Sequence, residues 1–192
     1  MKRFLGTLEA HRTTIGAIEA LADPIEAAAV RLAETLQAGG TVFWLGNGGS
    51  AADSQHLAAE LVGRFEGVDR PGLRSLALTT DTSVLTSLGN DLGFERVFAR
   101  QVEALCRPDD AVVCLSTSGA SRNIVMAARA AREREAWTLG LTGGDGGDLA
   151  READTAIVVP GTSAARVQEA HLVIGHYWCE AIHAKLETER RS

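Results

Sequence analysis

His56 and Glu60 stand four residues apart in "GNGGSAADSQHLAAE" (46–60), a run that opens on glycines and then turns helical. On a helix that spacing puts an imidazole and a carboxylate on one face. Such a pair can share a metal ion, as paired ligands on zinc-enzyme helices do, or work on one substrate. Taken alone, such a pair is more often a solvated surface pair. A second polar set lies near the end of the chain, where "RVQEAHLVIGHYWCEAIH" carries Gln168, His171, His176 and His183, with one of these histidines expected to be structural. His11 stands by itself and is given no role.

Two loops could hold an anion. Gly46, Gly48 and Ala51 satisfy the dinucleotide pattern G-x-G-x-x-G/A, a weak signal by itself. The acidic residue that should end the second strand is missing, since Glu66 falls before that strand and Asp81 after it. No Gly-Lys-Ser/Thr follows, which excludes a P-loop. What remains is a glycine turn that brings backbone N–H groups and a helix start near an anion or a sugar oxygen, or a plain turn. In "STSGASRN" (116–123), Ser116, Thr117, Ser118 and Ser121 follow an apolar run and precede a helix. Hydroxyls and unpaired N–H groups there make a phosphate site that needs no lysine. Capping by Ser121 accounts for only one of the four hydroxyls, and no G-x-S-x-G elbow exposes a nucleophile.

The elements that position these residues alternate. Apolar runs at 41–45, 75–79, 111–116, 137–142 and 155–159 read as strands, with helices near 51–64, 82–88, 94–105, 121–135 and 163–187. This pattern predicts an α/β fold: a five-stranded parallel sheet in the order 2-1-3-4-5, covered by helices on both faces. Ahead of it, Ile15, Ile18 and Leu21 recur at helical spacing, and a helix over 24–38 begins with Asp23 as cap and Pro24 as first residue and stops at Gly39-Gly40. The chain of 192 residues is therefore expected to be one domain, 1–192, with an N-terminal helical layer. Ligands in such sheets bind beyond the carboxyl ends of the strands, which marks Gly46–Ser50, the residues after Thr79, Ser116–Ser121 and Gly143. Ile25, Ala29, Leu32 and Leu36, with the apolar final helix, look too apolar for one sheet to cover, so a symmetric oligomer is expected.

A net charge of −6 speaks against a nucleic-acid surface and leaves an anionic ligand to local dipoles. No apolar run approaches a membrane span, and no apolar segment follows the basic start, so a cytoplasmic protein is expected. Cys106, Cys114 and Cys179 are widely spaced and form no disulfide or CxxC pattern, and Cys114 reads as a core residue. Only the final "ETERRS" reads as disordered.

Taken together, "GNGGSAADSQHLAAELVGRF", "SLGNDLGFERVFARQV", "STSGASRN" and "RVQEAHLVIGH" resemble the phosphoheptose isomerases of the sugar-isomerase (SIS) family over about residues 5–187. The resemblance implies conversion of sedoheptulose 7-phosphate to D-glycero-D-manno-heptose 7-phosphate, in heptose biosynthesis for cell-surface glycoconjugates. It also implies one zinc ion per subunit and a homotetramer with active sites at subunit contacts. Carried over by motif, Asn47, Gly48, Gly49, Glu60, Asn90, Asp91 and Gln168 meet the sugar. Ser116, Thr117, Ser118 and Ser121 hold the phosphate. His56, Glu60, Gln168 and His176 form the zinc set, and Glu60 and His176 transfer the proton. Gln168 and His176 lie about 12 Å apart along an ideal helix, so they meet one ion only by leaning together or by coming from different subunits. An adaptor of the same family, which associates with a replication initiator, is the competing reading. That form lacks the acid after "QH" and the histidine after "RxQE", both of which this chain keeps as Glu60 and His176.

Overall fold

The computed structural model describes residues 2–64, 70–161 and 163–191. Its sheet is formed by β1 (Val42–Gly46), β2 (Ser75–Ala77), β3 (Ala111–Ser116), β4 (Trp137–Gly143) and β5 (Thr155–Val159), in the order β2-β1-β3-β4-β5. Every pairing is parallel, so both order and direction agree with the sequence expectation. Burial on both faces is what permits such a sheet. Val42 and Trp44 of β1 and Ala111, Val113 and Leu115 of β3 enter one core. Phe43 and Leu45, with Val112 and Cys114, enter the other. The period-two alternation thus survives within apolar runs, sorting side chains between two cores.

The first core is closed by α1 (Lys2–Ala17), α2 (Ala22–Gln37), α3 (Gly49–Val62) and α8 (Ala164–Arg191). The second is closed by α5 (Ala99–Leu105), α6 (Arg122–Glu133) and α7 (Gly147–Glu152), with α4 (Thr82–Asp91) at its margin. Trp44 and Trp178 are fully buried with ring centroids 6.5 Å apart, and Trp178 donates its ring N–H to the carbonyl of Ile25 at 3.1 Å. That contact joins β1, α8 and α2, and each ring burial contributes about 1.5–3 kcal/mol or more.

The structure departs from the sequence expectation in several places. A 3-10 turn, Ile18–Leu21, leads straight into α2, which begins at Ala22. Leu21 holds the cap position without a side-chain bond, so Asp23 and Pro24 lie inside the first turn. There the carboxylate suits the helix dipole and the missing proline N–H costs nothing. The single helix expected at 94–105 is a 3-10 turn, Phe94–Arg96, followed by α5. Helix α7 was hidden by its sequence, "GGDGGDLARE", because glycine is a poor helix former. Gly146 and Gly147 there have φ of 84° and 56°. The expected disorder of "ETERRS" is overturned in part: α8 continues to Arg191, and Ser192 lies outside the described residues. Ile25, Ala29 and Leu32 are buried within this chain, so the argument for an oligomer from that face does not hold. The three thiols are buried, and burial pushes each up to about 12, which fits Cys114 as a core residue.

Candidate active site

The carboxyl ends of β1 and β3 open onto two loops that are bonded to each other. After β1 the chain turns at Asn47-Gly48 and enters α3, with Gly48 at φ 56° and its carbonyl accepting the N–H groups of Ala51 and Ala52. A Cβ on Gly46 would lie 2.6–2.7 Å from atoms of Ser50, so the turn closes only with glycine there. The amides of Asn47 and Asn123 exchange two hydrogen bonds of 2.8 Å, running from the glycine loop to the first turn of α6. Asn123 was missed in the sequence. Its signal was its place as the last residue of "STSGASRN".

In the serine loop, Ser121 occupies the cap of α6 but its side chain makes no capping bond. The capping explanation of that hydroxyl is therefore overturned. Ser116 and Ser121 approach oxygen to oxygen at 3.4 Å, and the Ser118 hydroxyl accepts the N–H of Ala120 at 3.3 Å. The N–H groups of Arg122 and Asn123 open α6 ahead of its first bonds, which Ile124 and Val125 give to the Ser121 carbonyl. Gly119 locks the loop: its φ is 63°, a Cβ would lie 2.0 Å from the carbonyl oxygen of Gly146, and its own carbonyl accepts the N–H of Leu149. An anion here meets hydroxyls and a helix start held from behind by α7.

Helices α3 and α8 run side by side in the same direction, and their contacts advance together. Gln168 donates its amide N–H to Oδ2 of Asp53 at 3.0 Å. Further along, two turns on in α8 and one in α3, Gly175 lies against Leu57, and Nε2 of His176 faces Nε2 of His56 at 2.7 Å. Oε1 of Glu60 is 3.9 Å from Nδ1 of His56, beyond a hydrogen bond and on the ring nitrogen that does not face His176. All of these contacts lie within one chain. Asp53, also missed in the sequence, shares the α3 face with Gly49, His56 and Glu60. Burial pushes its carboxyl above the usual range, while the Gln168 amide and His56 pull it back.

Among the described residues no group of three or more His, Cys, Asp or Glu is arranged to hold a metal ion. Two zinc-ligating nitrogens at about 2.0–2.1 Å from the ion stand roughly 3.3 Å apart in a tetrahedron. The His56–His176 pair needs only a small separation to reach that, and neutral imidazole nitrogens suit the ion. Glu60, on the other ring nitrogen of His56, and Gln168, engaged with Asp53, do not point into that gap. The His56–His176 pair fits zinc in donor chemistry, while Glu60 and Gln168 as they stand do not complete a coordination set.

The remaining candidates are placed apart. Asn90 and Asp91 are exposed at the end of α4, where Asn90 donates to Asp91 at 2.7 Å and neither bonds the glycine or serine loop. His171 is the structural histidine: fully buried, it bonds the Thr142 carbonyl through Nε2, and burial lowers it to about 4. His183 lies 3.6 Å from Glu187. His11 is not alone, since Nδ1 meets Glu169 at 2.7 Å. Asp81 caps α4 by accepting the N–H of Val84, and Glu66 lies outside the described residues.

The SIS domain family model matches residues 8–143. The phosphoheptose isomerase of Roseiflexus sp. (strain RS-1) is 51% identical over 172 residues, 90% of this chain and 87% of that protein. This chain belongs to the phosphoheptose isomerase family of SIS domain proteins. The solved structure of a phosphoheptose isomerase from Neisseria gonorrhoeae superposes with a TM-score of 0.88 at 41% identity, covering 95% of this chain and 97% of that one. One from Francisella tularensis gives 0.86 at 37% identity, covering 94% of each. A phosphoheptose isomerase fold therefore surrounds the loops and helices described here, and the adaptor reading is not favoured.

Proposed function

We propose that the chain interconverts sedoheptulose 7-phosphate and D-glycero-D-manno-heptose 7-phosphate, supplying heptose for cell-surface glycoconjugates. The observation that carries this reading is the chain of contacts Glu60–His56–His176, at 3.9 and 2.7 Å, which joins the helix that begins at the glycine turn to α8. The names of the relatives support the substrate.

The isomerisation moves hydrogen between C1 and C2. A base takes a proton from C1 of the ketose while an acid protonates the carbonyl oxygen on C2, giving an enediol. The C1 hydroxyl then loses its proton and C2 gains one, which yields the aldehyde. Glu60 is the carboxylate for the carbon-bound proton, and His176 is the imidazole that gives and recovers the oxygen-bound one. His56 accepts or donates toward His176 and keeps that ring oriented. Asn47, Gly48, Gly49 and Gln168 meet sugar hydroxyls. Ser116, Thr117, Ser118 and Ser121 take the phosphate.

Zinc would be held by His56 and His176, with Glu60 and Gln168 turning toward the ion to complete the set. When bound, it would offset the negative charge that develops on the enediolate oxygens. A carboxylate bound to the ion is a poorer base, so Glu60 serves one role at a time. The assembly is a cytoplasmic homotetramer in which Asn90 and Asp91 reach a neighbouring subunit's site. Leu92 and Phe94 beside them, 47% and 63% exposed, support a subunit contact there.

Incubation with sedoheptulose 7-phosphate and zinc should produce an aldose phosphate, read by phosphorus NMR. An inert protein with zinc supplied overturns this reading.

A further inference from the structure

Asp53 takes no part in the chemistry above, yet it lies between Gly49 and His56 on the working face of α3 and accepts the Gln168 N–H at 3.0 Å. A free amide can present either its oxygen or its nitrogen, whereas a carboxylate only accepts. Facing Asp53, the Gln168 amide must turn its nitrogen to that side, which leaves Oε1 as its outward group. Both ends of that amide lie against Gly49, the nitrogen nearer and the oxygen just beyond it. A Cβ on this residue would stand 2.2 Å from Nε2 and 2.6 Å from Oε1, so the amide occupies the space a side chain would take at the first residue of α3.

We propose that Asp53 is a positioning residue that holds the Gln168 carbonyl oxygen as a fixed acceptor over the glycine turn. The flipped amide would offer N–H donors there, which a cation rejects and a donating sugar hydroxyl cannot use. The proposal rests on the isomerase reading, because Gln168 gains its role from it. Asp53 itself does not touch the reacting atoms. Removing a group that orients a ligand in this way costs about 10–100-fold in activity or metal affinity.

The test is Asp53→Asn, close in shape but able to donate as well as accept, made in the parent and in a Gln168→Leu background. In the parent, kcat/KM should fall about 10–100-fold. In Gln168→Leu the further loss should be under about twofold, because the two residues act as one unit. Asp53→Glu, which still only accepts, should recover part of the activity. Equal losses in both backgrounds, or no loss in the parent, overturn the proposal. A readout without turnover uses protein labelled with ¹⁵N-glutamine, which has four glutamines, the Gln168 amide being assigned by its disappearance in Gln168→Leu. Its two protons should be well separated in the parent and converge in Asp53→Asn. An unchanged signal sinks the idea. If the signal responds but the parent is inert, the isomerase reading fails and the positioning role stands. Zinc affinity, measured against a chelator, identifies what Oε1 holds: weakened binding in Asp53→Asn points to the ion, and a raised KM at unchanged zinc affinity points to the sugar.

Discussion

Glu60 is one quarter exposed by side chain and sits beside His56 without a hydrogen bond to it, so its carboxylate remains available to a substrate. Glu60→Gln keeps the shape and removes the base. In steady-state assays kcat should fall about 10²–10⁴-fold while sugar-phosphate binding persists. A variant within about threefold of the parent removes Glu60 from proton transfer. The serine loop predicts a different signature. Ser121 is not spent on its helix cap and meets only the Ser116 hydroxyl at 3.4 Å, and Ser118 accepts one weak bond from Ala120, so both can turn to a phosphate. Ser118→Ala with Ser121→Ala should raise KM strongly, weaken inhibition by inorganic phosphate and leave the melting temperature near that of the parent. Unchanged phosphate inhibition would place the anion elsewhere.

At the scale of elements, the site depends on how closely α8 lies on α3. Gly175 sets that spacing: a Cβ there would fall 2.5–2.7 Å from the methyl carbons of Leu57, which is itself fully buried and has little room to yield. Alanine is favoured over glycine inside a helix by about 1 kcal/mol, and overpacking costs about 1–3 kcal/mol, so the two nearly offset in stability. The geometry does not offset. His176 is the next residue, and a displacement near 1 Å in a catalytic group costs up to about 10²-fold. Gly175→Ala should therefore lower kcat by about 10–100-fold while thermal melting moves only a few degrees. An unimpaired kcat would show that the His56–His176 approach does not depend on this contact.

At the scale of the molecule, His171 links stability to pH. Its pKa is lowered from an ordinary 6.5 to about 4 by burial. The unfolded chain therefore binds the extra proton first as pH falls. The stabilisation is fully present above about pH 6.5 and is lost as pH drops toward 4, about 2 kcal/mol of it between pH 7 and 5. Denaturant unfolding at the two pH values should show this loss, and His171→Asn should flatten that part of the slope. The surface predicts assembly for a reason other than the one read from the α2 pattern. Phe4, Leu5, Leu92 and Phe94 are 47–65% exposed, and Asn90 and Asp91 stand apart from the loops they are assigned to. Sedimentation at micromolar concentration should give a tetramer, and a stable monomer near 20 kDa contradicts it.

Local pattern was enough to read the sheet, because buried parallel strands are apolar runs and those here are set off by glycine, proline or polar residues, Glu135 standing two positions ahead of the fourth. It was enough, too, for the glycine turn, the serine loop and the His56–Glu60 face, each of which is a matter of spacing within a few residues. Contacts between distant segments decided the rest. The pairing of Asn47 with Asn123 and of Asp53 with Gln168 joins residues 76 and 115 positions apart, and neither partner carries a local mark of the other. His171 and His176 are five residues apart on one helix, yet one is sealed against Thr142 and the other faces His56. Periodicity names the face of a helix, but only packing determines what that face meets. Helix α7 went unread because its glycines have poor intrinsic helix propensity, and tertiary contact with Gly119 supplies the order its own sequence lacks.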